Sequence, residues 1–166
     1  MSDLPLQFPV LALIPARVGG WEEEPHDRVD YFLNEKQFNS LTPSDLEDEY
    51  ANMQVVDLSC RCWRITNITR LGIRGRSWRK VLNFIFRNFQ YRYDLQEEAP
   101  MTFEAVRDHV CATIEGDPDY WRDDEALAGE SGPPREEQEM LDEKIQLCRR
   151  TTDMRELIDT FSNLGP

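Results

Sequence analysis

The stretch 53-MQVVDLSCRCWRITNITRLGIRGRSWRKVLNFIFRNFQYRYDLQ-96 decides how the rest of the chain is organised. Met53 to Leu71 is rich in Val, Ile, Thr, Trp and Cys and holds no Gly or Pro, which is strand chemistry. It runs into Gly72-Ile73-Arg74-Gly75-Arg76-Ser77, which reads as a turn with two glycines. The returning arm supports two readings. Ile85, Phe89, Tyr91, Tyr93 and Leu95 fall on an alternating, strand-like pattern interrupted by Arg87, whereas Trp78, Val81, Leu82, Ile85, Phe86 and Phe89 form a helical stripe behind a Ser77 N-cap. The aromatic density and the Tyr91-Arg92-Tyr93 alternation favour a strand over 83–96, with a helical start at 77–83 left open. The expected fold is therefore α+β: an antiparallel sheet built on a long hairpin between residues 53 and 96, packed by C-terminal helices.

Charge changes sign over the same stretch. Residues 58–93 carry nine Lys/Arg and no acid, residues 1–57 hold twelve acids and three bases, and residues 94–166 hold twenty acids and seven bases. The net charge is -13, so the chain is acidic with one positive strip. An acidic surface can attract a basic partner, and the strip is either neutralised internally or left exposed as a site.

A length of 166 residues fits a single domain, 1–166, because two halves of this chain would each have a small core. The apolar run from Phe8 to Ile14 is broken by Pro9, closed by Pro15 and lacks a basic leader, so neither a signal peptide nor a membrane span is expected, and a cytoplasmic location is. Cys60, Cys62, Cys111 and Cys148 form no CxxC pair and have no histidines at zinc spacing. Reduced, mostly buried thiols are expected, with no disulfide framework, no metal and no cofactor.

Flanking elements follow from local signals. Val10 to Ile14 reads as a buried strand ahead of the Gly19-Gly20 turn, and Thr42-Pro43-Ser44-Asp45 opens a short helix over 43–51. Phe103, Val106, Val110 and Ile114 recur at spacings of three and four behind a Thr102 N-cap, and Gly116 stops that helix. Asp117-Pro118-Asp119-Tyr120-Trp121 is a turn, and the acid-, Gly- and Pro-rich segment 122–135 reads as a mobile loop. Leu141, Ile145 and Cys148 mark a helix over 135–149. A last helix starts at Thr152 or Asp153, with Asp153 and Glu156 at capping-box spacing and Leu157, Ile158 and Phe161 facing inward.

Strands ending in an aromatic, basic arm, then Met101-Thr102-Phe103-Glu104-Ala105-Val106 opening a helix, then Asp117-Pro118-Asp119-Tyr120-Trp121, then a final helix around Arg155-Glu156-Leu157-Ile158, resemble a group of small bacterial immunity proteins over residues 55–166. Such proteins are encoded beside polymorphic toxins and block a cognate toxin domain. The resemblance implies a role in binding rather than catalysis, and a cognate toxin as the partner. The insert 122–135 departs from the compact connection that group would have.

Three surfaces are candidates. The first is acidic and aromatic: Asp119, Tyr120, Trp121, Asp123, Asp124 and Glu125, with Tyr120 and Trp121 as anchors for a basic toxin cleft, or else with Trp121 packed inward. The second is Trp21 with Glu22, Glu23 and Glu24. The third is basic: Arg61, Arg64, Arg87 and Arg92 interleaved with Trp63, Phe86, Tyr91 and Tyr93, the combination that contacts phosphates and stacks on bases. A nucleic acid approaching a chain of charge -13 is repelled, which disfavours that reading. The alternatives are that these arginines pair with acids of the flanking helices, or that the strip binds an acidic patch of a second subunit. No catalytic residue is expected. His109 and Cys111 sit two apart on one helix and point about 200° away from each other, and runs of consecutive acids are ordinarily a solvated face.

Overall fold

A computed structural model describes residues 4–15, 27–39, 53–73, 89–118, 121 and 137–164. Their strands are β1 (Val10–Ile14), β2 (Arg28–Phe32), β3 (Gln54–Val56), β4 (Cys62–Ile73) and β5 (Phe89–Glu97). The helices are α1 (Glu35–Phe38), α2 (Phe103–Gly116), α3 (Glu137–Arg150) and α4 (Met154–Asn163). The five strands form one antiparallel sheet in the order β2-β1-β3-β4-β5, and the three longer helices follow it in the chain, so the fold is α+β.

Two apolar cores lie on the two faces of this sheet. Strand alternation sends Leu11, Leu13, Val29, Val56 and Cys62 to one face, where they meet Val106, Val110 and Ile114 of α2, Ile145 and Cys148 of α3, and Leu157, Ile158 and Phe161 of α4. Val10, Ala12, Ile14, Phe32, Val55, Trp63, Ile65 and Tyr93 go to the other, under Leu6 and Phe38. β1 is thus buried at all five positions, which is why its sequence is a continuous apolar run and not an alternation. Each of its large side chains stabilises the fold by about 1.5–3 kcal/mol through burial.

The helix boundaries follow the sequence signals. Thr102 Oγ accepts the Ala105 N–H at 3.2 Å and opens α2, while Asp153 Oδ1 accepts the Glu156 N–H at 2.9 Å and opens α4. Glu156 reaches back past the cap to accept the Thr152 N–H at 2.7 Å and its hydroxyl at 2.9 Å, so the reciprocal bond of a capping box falls one residue ahead of Asp153. Asp153 is the cap and Thr152 precedes it.

The long arm 53–71 is not continuous, contrary to the reading from composition. β3 ends at Val56 and β4 begins at Cys62, paired antiparallel through a tight turn. No Gly or Pro makes this turn. The Asp57 carboxylate accepts the N–H groups of Ser59 at 2.9 Å and Arg61 at 3.2 Å, Cys60 N–H donates to Asp57 O at 2.9 Å, and Cys60 takes a left-handed φ of 58°. Gly72 likewise lies inside β4, in register with Gln90, instead of in a turn. Register shifts between Ile65 and Asn67 and between Arg70 and Gly72 place the extra residues on β4. β5 supplies the strand expected for the returning arm from Phe89 onward. The expected helix at 43–51, the 77–88 segment, the Gly19-Gly20 turn and the loop 122–135 lie outside the described residues. No helix among the described residues is long and apolar enough to cross a membrane.

Candidate functional site

The basic strip is met by acids from its own two ends. Arg61 donates through Nε at 3.2 Å and Nη2 at 3.0 Å to the Asp57 carboxylate, which is fully buried, and through Nη2 to Pro5 O at 2.9 Å. Its guanidinium lies 5.3 Å from the centre of the Trp63 ring. A buried carboxylate persists only when its charge is compensated, and Asp57 gains four donors from Ser59 and Arg61. Arg64 forms an ion pair with Glu98, and Gln54 Nε2 donates to the same carboxylate at 2.7 Å. The Arg64 hydrogen bond holds the Glu98 carboxyl below its ordinary value against a small desolvation that pushes it up, with Gln54 assisting. The partners of Arg61 and Arg64 are therefore Asp57 and Glu98, acids of the sheet and its turns, and not acids of the flanking helices. Arg92 is exposed on β5, opposite Thr69. Arg87 lies outside the described residues.

Trp121 packs inward. It is 5% exposed, its ring meets Phe161 at 5.2 Å between centroids, and Lys144 both lies 5.8 Å from the ring centre and donates to Trp121 O at 2.8 Å. As a surface anchor it is corrected: the ring joins α3 and α4 to the core and is not presented to a partner. Asp119, Tyr120, Asp123, Asp124 and Glu125 lie outside the described residues, as do Trp21, Glu22, Glu23 and Glu24.

An aromatic that sequence reasoning passed over occupies the surface instead. Tyr31 is 38% exposed and stands edge-on to Phe161 at 6.3 Å, so Trp121, Phe161 and Tyr31 form a chain of rings from the core to the surface. Leu33, just beyond β2, is 45% exposed. β2 is an end strand of the sheet, Phe32 turns to the opposite core, and alternation leaves Tyr31 and Leu33 on the helix-side rim. The usable signal was the Val29-Asp30-Tyr31-Phe32 alternation, which assigns Tyr31 and Phe32 to different faces. It could not say that β2 would lie at the edge.

Burial raises the pKa values of Cys60, Cys62 and Cys111, and pushes Cys148 up to about 12 with Cys111 adding to it. Cys111 Sγ approaches Ile145 O at 4.0 Å and does not engage His109. Among the described residues no three His, Cys, Asp or Glu side chains converge as a metal site. What the described surface offers is charge, hydrogen bonding and an apolar rim.

Comparison with protein-family models finds no match, and comparisons with curated proteins and with solved structures find none either.

Proposed function

We propose that this chain is a non-enzymatic binding protein of the cytoplasm, and specifically an immunity protein that neutralises a basic bacterial toxin by charge complementarity. The observation that supports it most is the local neutralisation of the basic strip: Arg61 is held by Asp57 and Arg64 by Glu98. Two of the four arginines that an anion-binding surface would use are already committed, while residues 94–166 carry an excess of thirteen acids over bases. Such a surface accelerates encounter with a basic partner by about tenfold to a thousandfold at low salt. Tyr31 and Leu33 provide the apolar contact that steering alone lacks, since aromatic side chains at interface centres carry a large share of binding energy.

The test is co-expression with the product of the adjacent reading frame, with one partner tagged and the complex eluted through a salt gradient. A complex of defined stoichiometry that rescues cells from the neighbour's toxicity supports the reading, and Tyr31→Ala should then weaken it by tenfold or more, an estimate on the order of hot-spot losses. Neither complex nor toxicity sinks it. The alternative, an anion- or nucleic-acid-binding adaptor, retains one favourable observation, the exposed Arg92. Single-stranded RNA binding at low salt that is lost in Arg92→Glu would select it over the immunity role.

A further inference from the structure

We draw no further inference here: the strongest candidate, the groove on α4 lined by Asp153, Arg155, Glu156, Asp159, Thr160 and Asn163, is an acidic side-chain cluster, and nothing in the structure shows what covers it.

Discussion

The basic stretch behaves in opposite ways at its beginning and at its return. At the β3–β4 turn, Arg61 is locked to a buried carboxylate, a backbone carbonyl and an indole face. On β5, Arg92 stands exposed beside Asp94. The residue type is the same, so the difference comes from what the backbone brings alongside. A turn folds Asp57 back over Arg61 four positions away, while a strand sends Arg92 and Asp94 out side by side on one face. Sign and density of charge along a chain therefore do not decide whether a positive strip is a site.

The comparison breaks most visibly at Asp57. Asp57→Ala removes an acceptor of four hydrogen bonds, and a loss of about 2–3 kcal/mol is expected, since the backbone N–H groups of the turn lose their acceptor while the partly exposed Arg61 can turn to water. Urea denaturation should show it as a lowered midpoint with an unchanged slope. A loss under 1 kcal/mol would mean that the turn holds without its carboxylate.

Cys60 gives the next effect. An L side chain at a left-handed φ already costs about 1–2 kcal/mol and a β-branched one fits it worse, so Cys60→Val lowers the midpoint further whereas Cys60→Asn, which tolerates that conformation, does not. Equal midpoints for the two variants would remove the left-handed turn from the argument.

Glu98→Gln should cost less, under about 1 kcal/mol, because its partner Arg64 is well exposed. The sign with pH follows from the direction of the shift. The Glu98 carboxyl is lowered on folding, so its contribution is present above the ordinary glutamate pKa and lost as pH falls through the lowered value. The Glu98→Gln chain should therefore show a flatter acid limb in a pH series of denaturation midpoints.

Arg92→Ala should leave the stability of the fold within about 0.5 kcal/mol in urea denaturation. A larger loss would place Arg92 in the same class as Arg61 and erase the contrast.

Local signals sufficed where local physics decides. Thr102 and the Asp153/Glu156 pair mark helix starts through bonds made within four residues, and the Val10 to Ile14 run declares a strand buried on both faces. The turn at 57–61 escaped because a side-chain carboxylate makes it, and an Asp between Val56 and Leu58 has no distinctive composition. Trp121 was legible as an aromatic in an acidic turn. Its burial depends on Phe161 and Lys144, which tertiary packing brings to it from 40 and 23 positions away. Tyr31 escaped for the converse reason, since only the strand order puts β2 at an edge.

The position of β1 in the sheet has a consequence for how the protein is made. This strand is central and wholly apolar, yet its neighbour β3 begins at Gln54 and the helices that cover one of its faces begin at Phe103. On a ribosome adding about 5–20 residues per second, Val10 to Ile14 waits for seconds with β2 the one sheet partner of the described residues yet made. Five residues that end up buried are thus ones the nascent chain must expose early and hold exposed, and crowding or slowed translation should cost this protein yield before it costs the finished fold any stability.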